Sequence, residues 1–226
     1  MIFIPVFNPN NELLKLVLRL INNHSFQAKD IYIIDDHSKN SKSRKIFKNL
    51  ANIGCKIKIN EKNIGKGSAI KFAIDFAKIN NLNFVLFADG DGQHSDEDIM
   101  NIYNIGKETD YFIIGERDFE KAPMINRLSN NISNYLFNKT TKLNLRDTQC
   151  GLRLIPKKCY RILSNIKEDK FDFELVSLFE LNKNNIFIKK VKIQTIYFKN
   201  KYVTNFNKIF DTYKIIRVFL IYKFFR

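Results

Sequence analysis

Apolar and polar positions alternate between two rhythms along this chain, and the change of rhythm marks the elements. The first half predicts strands at Ile2–Pro5, Ile31–Ile34, Cys55–Asn60 and Phe84–Ala88 from short apolar or alternating runs. Between them, apolar residues recur at helical spacing. Leu13, Leu16, Val17 and Leu20 predict a helix over Glu12–Asn23, with Asn10 or Asn11 as its cap. A second helix is expected over Lys42–Ala51, and a third follows Gly65-Lys66-Gly67 and runs through Lys78. Ser95 opens a fourth, with Asp98 at the capping-box position.

Strand and helix alternating over short connections imply a mostly parallel sheet with helices on both faces. In such a sheet the segments Pro5–Asn8, Asp35–Ser38, Gly65–Gly67 and Asp89–His94 all lie beyond strand C-termini, so they converge on one crevice. The second half is less regular. Tyr111–Gly115 reads as a strand leading to Arg117, Arg127–Lys139 as a helix, and Thr148–Ile155 as an extended piece. Phe171–Asn182 reads as a helix and Phe187–Gln194 as a strand.

A chain of 226 residues with 45% hydrophobic and 13% aromatic content has ample material for a core and is not disordered. Its formal charge of +15 calls for a polyanionic partner, whether nucleic acid, anionic lipid or phosphorylated substrate. Enrichment in Lys, Asn and Ile also fits AT-rich coding sequence, a second source for that basicity beside a partner. No zinc finger, helix-turn-helix or aromatic-interleaved basic motif is present, so nucleic acid is set aside. Cys55, Cys150 and Cys159 are odd in number and form no CxxC pair, which suits reduced thiols in a cytosolic protein. Met1 runs straight into a strand, so no signal peptide is expected, and no apolar run has the length of a membrane span.

Asp89-Gly90-Asp91-Gly92-Gln93-His94 carries the most chemistry. Two carboxylates one residue apart can face one ion, and hard oxygen donors in an open site suit Mg2+ or Mn2+ holding substrate phosphates. A solvated Asp-Gly turn has the same spacing. Lys66 lies in a Gly-Lys-Gly-Ser segment that lacks the Walker A spacing, so a nucleotide contact and a simple glycine entry into the helix both fit. Cys150 reads as packed rather than nucleophilic, and His94 as either ordering its loop or bonded to backbone.

The segment from about residue 207 to 226 differs from the rest. From Lys199 onward there are seven cations against Asp211 alone, interleaved with Phe, Tyr, Ile and Leu. A basic aromatic helix of this kind can lie in a membrane interface with its cations snorkelling, or pack on its own domain. The interfacial reading is preferred here because the aromatics otherwise lack a use. The domain division is then 1–198 and 199–226.

Taken in order, these pieces resemble family 2 glycosyltransferases of the GT-A fold. The branch most alike holds dolichol-phosphate mannose synthase and bacterial polyprenyl-phosphate glycosyltransferases. The resemblance rests on Pro5-Val6-Phe7-Asn8, Ile34-Asp35-Asp36-His37-Ser38, Asn63-Ile64-Gly65-Lys66-Gly67 and Asp89–His94. It continues through Ile114-Gly115-Glu116-Arg117, Asp147-Thr148-Gln149-Cys150-Gly151-Leu152-Arg153 and Phe171-Asp172-Phe173-Glu174, and into the tail. Pro9 stands where an acidic residue is usual, His37 where Gly is usual, and Thr204-Asn205 where Ser-His is common.

The resemblance implies a metal-dependent, inverting transferase moving a sugar from a nucleotide sugar, with UDP as the expected carrier, to polyprenyl phosphate. Asp91 would be the main ligand of Mg2+ or Mn2+, with Asp89 and Gln93 beside it. Pro5, Phe7, Asn8, Asp35, Asp36, Lys66 and Asp89 would bind the nucleotide sugar. Arg117 and Arg127 would meet the acceptor phosphate, Arg127 having an exposed helix cation as its plainer reading. If the acceptor is instead a glycan hydroxyl, Asp147 is the candidate base; its other reading is an anchor for the loop it begins. Asp91, Arg117 and Asp147 are thus the catalytic candidates. The expected setting is the inner face of the cell membrane, reached peripherally. A catalytically silent nucleotide-sugar-binding scaffold is the alternative from outside enzymology.

Overall fold

The computed structural model describes residues 1–117, 124–141, 143–170, 172–194, 196, 217–219 and 222, with backbone alone for 124–132. Seven strands form one sheet: β1 (Ile2–Val6), β2 (Ile31–Asp35), β3 (Lys56–Ile59), β4 (Phe84–Phe87), β5 (Phe112–Arg117), β6 (Arg153–Pro156) and β7 (Ile188–Ile193). Their spatial order is β3-β2-β1-β4-β6-β5-β7. All neighbours pair in parallel except β6, which runs antiparallel to both β4 and β5.

The helices are α1 (Asn11–His24), α2 (Ser41–Ile53), α3 (Lys66–Ile79), α4 (Asp96–Glu108), α5 (Met124–Thr141), α6 (Tyr160–Ser164) and α7 (Asp172–Lys183). Their starts follow side-chain chemistry. Asn10 caps α1 through Glu12 N, Asn40 caps α2 through Ser43 N, and Ser95 caps α4 through Asp98 N. Of the two caps considered for α1, Asn10 is the one used. α1 packs with α2 and α4, while α3 packs with α6 and α7, so helices cover both faces of the sheet.

Burial on the central strand is continuous and does not alternate. Ile2, Phe3 and Ile4 are all 0% exposed because β1 is central and covered on both sides. Phe3 meets Tyr32, Phe76 and Phe87 at ring-centroid distances of 5.5, 5.9 and 5.9 Å, tying β1, β2 and β4 to α3.

Pro5 decides where β1 and β4 part. The carbonyls of Met1 and Phe3 accept from Leu86 N and Ala88 N. The next rung in that direction would need an N–H on residue 5, which proline lacks. The ladder stops, and the loop after β4 is released at the head of the sheet.

The tail expectation is revised for the residues described. Val218 and Phe219 are 5% exposed. Phe219 meets the ring of Phe179 in α7 edge-on at 5.4 Å, and Tyr222 stacks on it at 4.5 Å. The Tyr222 hydroxyl donates to Glu180 Oε1 at 2.6 Å. These aromatics therefore have a use within their own domain. The division at 198/199 falls outside the described residues.

Candidate functional site

The loops after β1, β2, β3 and β4 do converge, and hydrogen bonds stitch them. Asn8 N donates to Ser38 Oγ at 2.7 Å, and Asn40 Nδ2 to Asn8 Oδ1 at 2.9 Å. Asp36 is the principal stitch. Its carboxylate accepts Ile64 N and Gly65 N, each at 2.8 Å, and Asn60 Nδ2 at 3.2 Å. Asp35 accepts Ser38 N at 3.0 Å and also the Ser38 hydroxyl, and is 1% exposed. Asp35 and Asp36, expected among the nucleotide-sugar ligands, are engaged here with their own loops. Both carboxylates are buried and shape the loops that face the crevice. Phe7, 36% exposed, and Asn8 stand at the crevice itself. His37 takes a left-handed φ of 70°, which explains why glycine suits that place, and its Nδ1 lies 3.2 Å from the Asn60 carbonyl oxygen.

The charged centre lies beyond β4. Lys66, the first residue of α3, puts Nζ 2.6 Å from Asp89 Oδ1 and 3.0 Å from Glu174 Oε1 of α7. Burial by itself raises the Asp89 carboxyl pKa, but the Lys66 ammonium, together with His94 and Arg117, holds Asp89 well below the usual range. Asp91 reaches solvent at the rim of the crevice and moves the opposite way: the protein atoms crowded around its carboxyl and the charge of Asp89 both push its pKa up. His94 orders the loop from beneath. Its Nδ1 accepts Asp89 N at 3.1 Å, so its proton belongs on Nε2, which points toward Cys150 Sγ at 3.9 Å. Burial lowers the His94 pKa against the pull of Asp89 and Asp91.

Gly151 explains why this cluster can be so tight. A Cβ there would stand 2.3 and 2.4 Å from the Asp89 carboxylate oxygens and 2.5 Å from Lys66 Nζ. The ion pair rests directly on bare backbone.

The antiparallel direction of β6 brings the segment 147–152 to this same end of the sheet. There Asp147, 0% exposed, accepts from Arg117 Nε at 2.6 Å and from Nη2 at 3.1 Å, and also from Gln149 N at 3.1 Å. Desolvation works against the Arg117 charge, yet Asp147, aided by Asp89, keeps the guanidinium charged far above neutral pH. Two expectations change. Asp147 has both oxygens engaged and no exposure, which suits an anchor and not a base. Arg117 gives its Nε and one Nη to that anchor rather than standing as an open phosphate clamp. Arg127 lies in α5, and its side chain is outside the described residues.

Two further charged residues border this centre, Arg153 and Glu174, neither of them among the candidates expected from the sequence. Arg153, 3% exposed, donates to the carbonyls of Cys150, Thr148 and Glu174 and to Ser177 Oγ, holding the floor of the loop. A charged residue opening a short apolar strand was the available signal. Cys150 is a thiol with its pKa pushed up to about 12 by burial, so it is packing and not a nucleophile.

The donor set fits a divalent cation of the Mg2+ or Mn2+ kind. Asp89 and Asp91 supply two carboxylates at the open end of the crevice, and such ions keep places for water and substrate phosphates. Among the described residues no group of three or more His, Cys, Asp or Glu could enclose a metal, so the protein alone builds no closed cage. Gln93 meets Asp91 through its backbone N–H, at 2.9 Å.

Comparison with known proteins agrees with this architecture. The chain is 30% identical over 162 residues to an uncharacterised protein of Methanocaldococcus jannaschii, covering 67% of this chain and 69% of that one. It is 24% identical over 217 residues to the UDP-N-acetylglucosamine–dolichyl-phosphate N-acetylglucosaminyltransferase of Methanococcus voltae, covering 87% and 85%. Among solved structures, glucosyl-3-phosphoglycerate synthase of Mycobacterium tuberculosis with Mn2+, UDP and glucosyl-3-phosphoglycerate superposes with a TM-score of 0.66 at 11% identity. That match covers 97% of this chain and 77% of the synthase, and it identifies the fold as GT-A. The family described as glycosyl transferase family 2 matches residues 1–163. The chain belongs to that family and is a glycosyltransferase.

Proposed function

We propose that this enzyme moves a sugar from a UDP-linked donor to polyprenyl phosphate, with inversion, at the cytosolic face of the membrane. The observation that carries the choice of acceptor is the burial of Asp147. A sugar hydroxyl must lose its proton as it attacks, and a base has to stand within hydrogen-bond reach. Asp147 is 0% exposed and bidentate to Arg117, and the unprotonated nitrogen of His94 already accepts Asp89 N. A phosphate monoester arrives ionised and needs no base. The name of the Methanococcus voltae relative carries an acceptor of this class, and a net charge of +15 suits an anionic partner.

Asp89 and Asp91 would hold Mg2+ or Mn2+, which when bound neutralises the charge developing on the diphosphate leaving group. Lys66 contributes a fixed positive charge 2.6 Å from Asp89 at the same spot. Phe7 and Asn8 line the crevice where the donor's nucleoside would enter. An oxygen of the acceptor phosphate forms the new bond to the anomeric carbon as the bond from that carbon to the UDP oxygen breaks. UDP departs with the electron pair.

The test is transfer from a panel of radiolabelled UDP-sugars, with Mn2+, to undecaprenyl phosphate, dolichyl phosphate or a soluble glycan. Label on a lipid phosphate supports the proposal, and label only on the glycan overturns the acceptor. Undiminished transfer in excess EDTA overturns the metal. Among the described residues no helix is long and apolar enough to cross a membrane, so the membrane contact proposed is peripheral. Binding to anionic vesicles that weakens as salt rises would support it, and indifference to vesicles at low salt would refute it.

A further inference from the structure

Glu174 is 5% exposed, and its carboxylate oxygen Oε1 lies 3.0 Å from Lys66 Nζ as an ion pair rather than a directed hydrogen bond. The nearby Arg153 does not replace that partner. Its Nε is 3.8 Å from Oε1 and is already committed to the Cys150 carbonyl, and its other nitrogens go to Thr148, Ser177 and the Glu174 backbone. Lys66 therefore stands between two carboxylates, one at the open crevice and one buried behind it.

Close backbone approach makes the arrangement rigid. A Cβ on Gly67 would fall 2.6 Å from Phe173 Cβ, so the first turn of α3 lies against the start of α7. Ser68 N donates to the Asp169 carbonyl at 3.0 Å and secures the same contact. On the other side the Lys66–Asp89 pair presses on Gly151. A lysine held this way has little freedom to leave but two places to put its charge.

We propose that Glu174 is a positioning residue that governs how strongly Asp89 can bind a divalent cation, by sharing the charge of Lys66. This rests on the metal reading given above. Lys66 acts as the counter-ion of Asp89 in the resting enzyme and competes with any cation for that carboxylate. Glu174 draws part of that charge away and gives Lys66 a partner when Asp89 is taken. A buried carboxylate with the lysine as its near cation has the geometry such sharing requires.

The experiment is titration of the purified full chain with Mn2+ alone, followed by the electron paramagnetic resonance signal of free Mn2+. Glu174→Gln leaves Lys66 to Asp89 and should raise the Mn2+ Kd by about tenfold, in the range of coupling between contacting charges. Lys66→Met removes the competitor and should lower the Kd. In the Lys66→Met background, adding Glu174→Gln should make no further difference. A purely structural Glu174 would shift melting but leave Kd alone, or shift it equally in both backgrounds, and either result overturns the proposal. If Glu174→Gln does not fold, failure of Lys66→Met to tighten Mn2+ overturns it instead. If the wild-type chain binds no Mn2+, the metal reading falls and this inference with it. Wild-type binding with Glu174→Gln unchanged defeats this inference alone.

Discussion

Replacing Asp147 by Asn would leave the Arg117 guanidinium charged at a site where its partner has become neutral. The structure allows the size of that effect to be worked out. Asp147 is 0% exposed, the Arg117 side chain is 16% exposed, and two N–H donors of one face the two oxygens of the other at 2.6 and 3.1 Å. Solvent screening is therefore slight. Removing one member of such a buried pair costs about 3–5 kcal/mol, mostly because the remaining charge is left without compensation. For a domain of this length each kcal/mol moves the melting temperature by about 2–4 °C, so a fall of about 6–20 °C is expected. Differential scanning calorimetry of wild type and Asp147→Asn measures it. The double variant Arg117→Leu with Asp147→Leu should recover most of the loss, because neither charge then remains buried. A melting temperature within about 2 °C of wild type, accompanied by lost transfer, would refute the anchor and restore Asp147 as a base.

Three other outcomes follow from the geometry. Asp91→Ala should lower transfer by about two to three orders of magnitude with little change in melting, since the side chain is exposed and its role is electrostatic; near-normal rates would remove it from the metal site. Asp96 concerns pH. Burial raises its carboxyl pKa, but hydrogen bonds from Asn23, Arg19 and His24 hold it below the usual value, so its stabilising contribution is present above the unfolded pKa of about 3.9 and lost as pH falls through the folded one. The stability gap between wild type and Asp96→Asn, from urea melts, should thus be level above about pH 5 and close on acidification; a gap that widens toward acid would contradict the sign. Gly151→Ala puts a methyl 2.3–2.5 Å from the Lys66–Asp89 pair, and a displacement of that order at the charged centre should lower kcat/KM by about a hundredfold; an unchanged value would show that the pair is not positioned for catalysis.

The strands and helices of the first half were legible because each is a local pattern. Asn10, Asn40 and Ser95 occupy caps whose chemistry is written within three residues, and the α1 apolar positions Leu13, Leu16, Val17 and Leu20 are all buried. Boundaries in this half shifted by a residue or two, α2 extending to Ile53 and β3 shortening to Lys56–Ile59; in the second half they shifted further, β6 beginning at Arg153 and α5 at Met124. The candidate site was only partly legible. Asp89 and Asp91 stand where strand order and chain direction alone would put them. Arg153 and Glu174 depend on contacts across more than twenty residues, and no local rhythm announces those.

The sequence by itself determined the alternation of strand and helix, the polar loops beyond strand ends, and the pair of carboxylates one residue apart. Periodicity and capping act over a few residues, so a single chain carries that information whole. Only the tertiary structure decided that β6 runs backwards. That reversal delivers Asp147 and Gly151 to the crevice, pairs Asp147 with Arg117, and makes room beneath Lys66 and Asp89. Strand direction depends on which neighbours a strand meets, and the competition among buried charges depends on distances that exist only once the sheet is assembled. The four acidic residues Asp35, Asp36, Asp89 and Asp147 look alike on composition alone; burial and partners set them apart, with Asp35 and Asp147 almost fully buried, Asp36 bonded to the 64–65 backbone and Asp89 at the crevice beside Lys66.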